Sequence, residues 1–376
     1  MVTLARKTTY LLLAICFFFS IKLTAQQPNL RNLSRMGQGM KSARGTGNDS
    51  LRHRNRNEDS ITIYYRYLDS ARHYKLDSSI NDFTTRFPIP ATNIFLGNNG
   101  TASRSVLFTP SMKPGWDAGF HAFDIYKWKP EAVRFFNTTR PYTELNYLLG
   151  SKTEQMVEVM HTQNIKPNWN ASFQYRFINS PGFFQNQHTN HNNILFSSWY
   201  EGKAKRYNNY FFVLANHLQS AENGGIKSDS FLQETESYKD RFNIPTVLGE
   251  NQTYSNNPFS TNIKIGNRYR EFTILMRQQY DLGKKDSVVT DSTVIPLFYP
   301  RLRFEHTIAY NEDKYQFIHY AISSADSEYY YNSYGMRIDP GDSINLRDRW
   351  KNLVNDFSIY QFPDAKNLQQ FVRLGA

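Results

Sequence analysis

The ten residues NWNASFQYRF, from Asn168 to Phe177, alternate strictly between polar side chains and aromatic or small ones. A period of two places the two sets on opposite faces of a β-strand, whereas a helix would spread both around its circumference. The stretch therefore predicts a strand. Its aromatic face contacts either the hydrocarbon of a membrane or the core of a soluble protein, and that alternative decides the fold.

The N-terminus has the features of an export signal. Arg6 and Lys7 precede an apolar run over residues 10–21, and Ala25 then supplies a small residue before a polar stretch. The run is shorter than the ~20 apolar residues of a membrane-spanning helix. We therefore predict a signal peptide over residues 1–25, removed on export.

Cysteine and charge narrow the class of protein further. Cys16 is the only cysteine and lies in the predicted signal peptide, so disulfide frameworks, thiolate zinc sites and cysteine nucleophiles are excluded from the mature chain. The formal net charge is +11, and the signal contributes three basic residues and no acid, which leaves +8. In an exported protein this charge favours outer-membrane lipid, lipopolysaccharide or anionic solutes as partners, and not nucleic acid.

The mature chain divides into three predicted regions. Residues 26–60 are poor in apolar residues and rich in Arg, Asn, Gly and Ser, which predicts a disordered basic arm. Residues 61–132 mix strand-like and turn-rich stretches, which predicts an N-terminal segment of short strands and loops. Residues 133–376 are more regular and predict antiparallel strands. The strand candidates are 141–149, 154–163, 168–177, 193–201, 208–217, 268–281, 299–310, 314–321, 355–362 and 369–376.

Strand length and loop length both favour a membrane barrel over a soluble sheet. Most candidates approach the ~9 to 11 residues that a tilted strand needs to cross a bilayer. The long polar connections at 178–192 and 218–267 fall on one side, and those at 164–167, 201–207 and 283–294 on the other, as in outer-membrane barrels. The connection at 150–153 is an exception, because it is short but falls on the long-loop side. No run of ~18 apolar residues follows the signal peptide, so no helical span is predicted.

A second stretch, RLRFEHTIAY at 301–310, places three charges on one face. In a barrel that face lines the lumen, because an Arg facing lipid at mid-membrane costs ~2 to 4 kcal/mol. His306 lies on the apolar face and counts against the barrel. The predicted lumen-facing residues are Asn168, Asn170, Ser172, Gln174, Arg176, Arg301, Arg303 and Glu305. The predicted lipid-facing residues are Trp169, Phe173, Tyr175, Phe177, Leu302, Phe304, Ile308 and Tyr310.

Several stretches also resemble a known family. NTTRPYTELNYLLGS, HTQNIKPNWNASFQYRFINSPGFFQNQHTNHNN and YKDRFNIPT are similar to the putative porins of Bacteroidetes-type Gram-negative bacteria. The resemblance runs from about residue 60 to the end of the chain. It implies an outer-membrane β-barrel that allows passive diffusion of small polar solutes, and it brings no catalytic or cofactor residues.

The last residues, QQFVRLGA, lack the terminal aromatic residue usual in such barrels and look like the middle of a strand, which leaves open whether the sequence is a fragment of a longer barrel. The number of strands bears on function. Roughly 8 strands enclose a space that their own side chains fill, whereas 16 to 18 leave an aqueous channel.

Motifs for other chemistry are weak. His188 and His191 could ligate a metal, but their Asn-rich surroundings predict a solvated loop. Asp339 and Asp342 in DPGD predict a turn and not a calcium loop. A serine hydrolase is the enzyme alternative, but no G-x-S-x-G elbow is present. We therefore predict no enzyme activity, no metal and no cofactor.

Three functions remain open from the sequence. The first is a porin-like barrel in the cell outer membrane, with mild anion preference. The second is a non-conducting barrel that serves as a structural or partner-docking element, with the loop at 218–267 as its surface. The third is an exported soluble β-protein whose aromatic residues bind glycans. A homo-oligomer is compatible with each.

Overall fold

The computed structural model describes residues 62–70, 72–76, 82–108, 110, 119–233, 244–249, 263–289 and 294–376. These residues belong to one compact unit that spans 56–376. The predicted signal peptide, which contains Cys16, and the whole predicted basic arm lie outside the described residues.

The first part of the described chain forms short elements. The strands are β1 (Ile63–Tyr67), β2 (Tyr74–Lys75), β3 (Asn93–Phe95), β4 (Ser103–Ser105) and β5 (Arg134–Thr138), with helix α1 (Phe83–Arg86) and 3-10 turns at Asp124–Tyr126 and Pro130–Ala132. β1 pairs antiparallel with both β2 and β5, and β3 pairs with β4. We call residues 62–138 the covering segment.

The rest of the chain forms one antiparallel sheet of nine strands, and each strand pairs with its neighbour in sequence. The predicted all-β, antiparallel class is confirmed. In the described residues the sheet is open, because β6 pairs only with β7 and β14 only with β13. The strands are β6 (Tyr142–Leu149), β7 (Gln155–Lys166), β8 (Trp169–Ser180), β9 (Thr189–Glu201), β10 (Tyr207–Ala221), β11 (Ile265–Val289), β12 (Val294–His319), β13 (Ile344–Gln361) and β14 (Val372–Gly375).

The connections differ between the two ends of the sheet. The long-loop end carries the connections at 150–154, 181–188, 222–264 and 320–343, and the short-turn end carries those at 167–168, 202–206, 290–293 and 362–371. Two connections depart from the pattern, because 150–154 is short and 362–371 is long. The connection at 320–343 includes helix α3 (Ser324–Tyr334), and the one at 222–264 includes α2 (Ser230–Gln233). The prediction of separate strands at 299–310 and 314–321 is wrong, because β12 is continuous and pairs with β13 over 18 residues.

A β-bulge interrupts the pairing of the two longest strands. The register between β11 and β12 shifts at Leu282 and Gly283. A side chain at Gly283 would place its Cβ 2.0 Å from the carbonyl oxygen of Tyr299, so only glycine fits there. Beyond the bulge the two strands continue as a hairpin that pairs with no further strand among the described residues, since β10 begins opposite Tyr280 and β13 ends opposite Leu302.

The apolar core lies between the covering segment and one face of the sheet. Phe135 of β5 packs with Tyr210, Phe212 and Leu214 of β10, and all four side chains are fully buried. A second cluster places Tyr126 against the long-loop end of the sheet. The covering segment therefore packs against one face, which we call the inner face, and its described residues do not cover the other, outer face.

Candidate functional site

The inner face carries many buried polar side chains beside the apolar core described above. On β8 the side chains of Asn170, Ser172, Gln174 and Arg176 are all buried. Thr162 donates a hydrogen bond to Asn170 (3.2 Å), and the hydroxyl groups of Ser172 and Ser197 lie 3.2 Å apart. These four residues were predicted to face a lumen, and here they contact protein.

Two of the residues predicted to face the lumen lie at the short-turn end of the sheet and have different surroundings. Asn168 precedes β8, is half-buried and donates to the carbonyl oxygen of Glu201 (2.8 Å). Arg301 lies at the β-bulge, between Pro300 and the first residue of β12 that pairs with β13, Leu302, and its side chain is exposed. These two residues are therefore not brought together with the buried inner-face groups.

The two remaining predicted lumen residues, Arg303 and Glu305, form part of a charged network on the inner face. The Arg303 guanidinium donates two hydrogen bonds to Asp281, at 2.7 and 2.8 Å. Glu305 accepts from Gln279 (2.6 Å) and lies 3.6 Å from Arg277. Because opposite charges are paired, this face carries a weaker net field than its arginines alone would give.

Backbone groups of the covering segment are held by inner-face side chains. Arg176 and Asn193 both donate to the carbonyl oxygen of Tyr126. Asn216 donates to the carbonyl oxygen of Trp128 (2.9 Å) and accepts from its N–H (3.0 Å). The sequence analysis did not identify Asn193 and Asn216, although their alternation along β9 and β10 places them in the same polar set.

An ion pair and further contacts extend this anchorage. Asp69 and Arg277 form an ion pair (2.5 Å), and Ser197 donates to the carbonyl oxygen of Arg134 (3.1 Å). The Arg176 guanidinium lies over the Trp128 ring, 5.2 Å from its centroid. The inner face thus binds a folded segment of the same chain along several strands.

The outer face carries the aromatic and aliphatic set. Phe173 is 45% exposed, and Trp169 and Ile308 are also exposed. Tyr175, Leu302, Phe304 and Tyr310 are half-buried, and all seven point away from the covering segment. Phe177, the eighth residue predicted to face lipid, is only 7% exposed because the long-loop end of β8 is buried on both faces.

The apolar part of the outer face forms a band of limited height. On β11 it runs from Phe272 to Leu282, which is ~33 Å along a strand at ~3.3 Å per residue. At a tilt of ~40° this spans ~25 Å, the height of the apolar band of an outer-membrane barrel. Beyond Phe272 the outward side chains are charged, beginning with Arg270.

Charged and aromatic groups flank the band at its two ends. On the long-loop side Glu312 pairs with Lys314 (2.7 Å) and Arg349 (2.6 Å). On the short-turn side the outward residues are aromatic, as at a membrane interface. Trp169 is the strand partner of Tyr200, Tyr207 is the partner of Tyr280, and the Tyr200 and Tyr207 rings lie 6.2 Å apart.

His306 lies within this band, as the sequence indicated. Its Nε2 atom lies 2.8 Å from Oδ1 of Asn355, which faces outward on β13. A neutral imidazole can satisfy that contact by donating, so the histidine has a polar partner on the outer face.

The histidines considered as metal ligands are buried. His188 and His191 are both almost fully inaccessible, so the prediction of a solvated loop is wrong at these positions. The two ring nitrogens of His191 contact main-chain groups, with Nε2 2.7 Å from the carbonyl oxygen of Gly100 and Nδ1 accepting from the N–H of Gln219 (3.2 Å). In the part of the chain that the structure describes, no three His, Cys, Asp or Glu side chains are grouped to hold a metal ion.

The DPGD stretch forms a turn, in which the N–H of Asp342 donates to the carbonyl oxygen of Asp339 (3.1 Å). This agrees with the sequence prediction. None of the helices among the described residues is both long and apolar enough to span a membrane.

Comparison with known proteins identifies the family. A family model described as putative porin matches residues 61–374, which is most of the chain. The chain belongs to this family. The match confirms the resemblance seen in the sequence, and the family description implies a porin-like outer-membrane β protein. No curated protein and no solved structure matches the chain.

Proposed function

We propose that the protein is a transmembrane β-barrel of the cell outer membrane that lets small polar solutes diffuse passively. The observation that carries this proposal is the distribution of side chains on the nine-stranded sheet. Polar residues are buried on the inner face beside its apolar core, and the outer face exposes an apolar band that runs ~33 Å along β11 and is not covered by the described residues. With the ~40° tilt of a barrel strand, that length would match the apolar band of an outer-membrane barrel. A soluble sheet of this size would expose its polar face instead.

Closure of the sheet is part of the proposal. Unpaired backbone groups at the edges of β6 and β14 cannot be satisfied by lipid, so both edges must be paired in a membrane. A closed barrel of roughly 8 strands has room only for its own side chains. The covering segment occupies the inner face, so the barrel that contains it must be wider than nine strands alone would make it.

In this proposal the paired charges along the inner face set the selectivity for solutes, and no chemical step is involved. Arg303 and Asp281, and Arg277 and Asp69, neutralise each other locally. The resulting pore has weak selectivity, with the mild anion preference expected from the basic chain. Outer-membrane lipid and lipopolysaccharide contact the outer band, and its basic flanks favour anionic headgroups.

Conductance across planar bilayers tests the proposal. Purified protein, reconstituted in asymmetric KCl, is expected to give ohmic steps with a reversal potential displaced mildly toward anion selectivity. Strong cation preference would contradict the selectivity assignment. Protein recovered from the soluble periplasm without detergent would exclude the membrane location altogether, and would favour the exported soluble alternative.

One observation favours a second function, a non-conducting barrel with a structural or docking role. The covering segment is bound along β8 to β11, so the inner face is already occupied. Folded protein that inserts in bilayers without any current would support this alternative and exclude passive diffusion.

A further inference from the structure

A cavity of about 490 Å³ opens at the long-loop end of the sheet. It lies between α3, the start of the 222–264 connection and the inner face of β11 to β13. Its volume falls in the range of small-molecule sites, roughly 300 to 1,000 Å³. Six aromatic side chains line it: Phe120, Tyr315, Phe317, Tyr329, Tyr330 and Tyr334. We call it the tyrosine pocket.

The rings form two walls. On the sheet side Phe120 stacks on Tyr315, with ring centroids 3.8 Å apart and planes 17° from parallel. On the helix side the rings of Tyr329 and Tyr334 meet edge to face, 5.9 Å apart. Tyr334 is 64% exposed, so most of its ring is available to a ligand.

Helix α3 holds its tyrosines in fixed positions. Ser323 accepts from the N–H of Asp326, whose carboxylate accepts from the Ser323 N–H, forming a capping box. Gly335 ends the helix in the left-handed conformation, with φ of 67°. Tyr330 is buried, and its hydroxyl lies 2.9 Å from Nδ1 of His319 on β12. The helix-side wall therefore needs little ordering when a ligand binds.

A few polar groups complete the pocket. Glu222 accepts from the Asn267 amide (2.5 Å), and the Tyr315 hydroxyl donates to the same amide group (2.5 Å). Arg347 and Asp348 lie at the exposed rim. The two carboxylates disfavour an anionic ligand, and the Arg347 guanidinium donates to Asn345.

From these features we propose that the tyrosine pocket binds a neutral saccharide. A sugar ring presents an apolar face of C–H groups that fits between aromatic walls, and its hydroxyl groups can donate to Glu222 and contact the rim charges. The proposal deepens the proposed function and rests on it, because the long-loop end is the outer mouth of the barrel only if the sheet spans the membrane. The pocket would then collect sugars where solutes enter.

Calorimetric titration of the full chain in detergent tests binding directly. The probes are maltose and cellobiose, with choline as a cationic and glucuronate as an anionic comparison. The expected result is saturable binding of at least one disaccharide and weaker binding of both charged probes. Tighter binding of either charged probe would overturn the proposal, as would the absence of disaccharide binding.

Two variants of α3 form a matched pair. Tyr334→Ala removes an exposed wall of the pocket and should weaken disaccharide binding ~3- to 10-fold, as for loss of about one aromatic contact. Tyr331→Ala removes a ring of the same helix that is 51% exposed, lies beneath Arg337 and does not line the pocket, so it should leave binding unchanged. Equal effects of the two substitutions would overturn the assignment, and circular dichroism checks that both variants fold.

The outcome separates this proposal from the proposed function. Disaccharide binding that depends on Tyr334 supports the pocket even where bilayers show no current, a result that would refute only passive diffusion. Current without disaccharide binding would support the pore and overturn the pocket.

Discussion

Replacing Phe173 by arginine distinguishes a membrane-facing band from an ordinary protein surface. Phe173 lies on the outer face of β8 and is 45% exposed. On a water-exposed surface such a substitution changes stability by only about 0.5 kcal/mol. Facing lipid near mid-membrane, the arginine should cost ~2 to 4 kcal/mol, which lowers the ratio of folded to unfolded protein by about 30- to 900-fold.

Phe184 provides a control with the same residue type and almost the same exposure. It is 44% exposed and lies in the 181–188 connection at the long-loop end. Phe184→Arg should be nearly neutral, because that loop is outside the apolar band. Both variants are compared with the parent protein by urea unfolding in lipid vesicles, followed by tryptophan fluorescence. Equal costs for the two substitutions would refute the lipid-facing assignment of β8.

Three further predictions concern the interior and the loops. Asn216→Leu removes the hydrogen bonds to the main chain of the covering segment and should lower the free energy of unfolding by about 1 to 3 kcal/mol. It should also speed amide hydrogen exchange in the covering segment. Asn209→Leu, at an outward position of the same strand, should change neither stability nor exchange. Asp281→Ala should cost about 3 kcal/mol in urea unfolding because it leaves the buried Arg303 guanidinium without its carboxylate, and an unchanged midpoint would contradict that pairing. Burial lowers the pKa of His188 to about 4 from about 6.5. The neutral histidine therefore stabilises the fold fully above pH 6.5, and this stabilisation is lost as the pH falls toward 4. His188→Gln should make the urea midpoint depend less on pH between these values.

The strands of the sheet could be predicted where one face differs clearly from the other. The bounds of β8 were predicted to within a few residues, because its polar and aromatic side chains alternate without a break. The continuity of β12 was missed because Asn311 to Lys314 are polar on both faces, so the period of two disappears there. Backbone pairing with β11 and β13 holds the strand together across that stretch.

Helix α3 was missed because its own tyrosines and polar residues are spread around its whole circumference. No apolar stripe therefore marks a helical period in the sequence. Its signals were local: Ser323 and Asp326 form a capping box, and Gly335 provides the C-terminal cap. Reading those three residues would have located the helix, but not the pocket. The pocket also needs Phe120 and Tyr315, which are distant in sequence.

The role of the predicted lumen residues could not be deduced from the strand pattern. Arg176 and Gln174 would show the same alternation whether their polar groups met water or protein. The contact that matters joins residues far apart in the chain, such as Asp69 and Arg277. Local periodicity carries no information on such pairs.

The separation between Asp69 and Arg277, 208 positions along the chain, has a consequence for the order of assembly. A polypeptide is synthesised from its N-terminus, so residues 62–138 exist before β8 to β12 are available to bind them. Residues 62–138 therefore cannot form their contacts with the inner face until the later strands have assembled. Assembly of the later strands and docking of residues 62–138 on the inner face are therefore one coupled event.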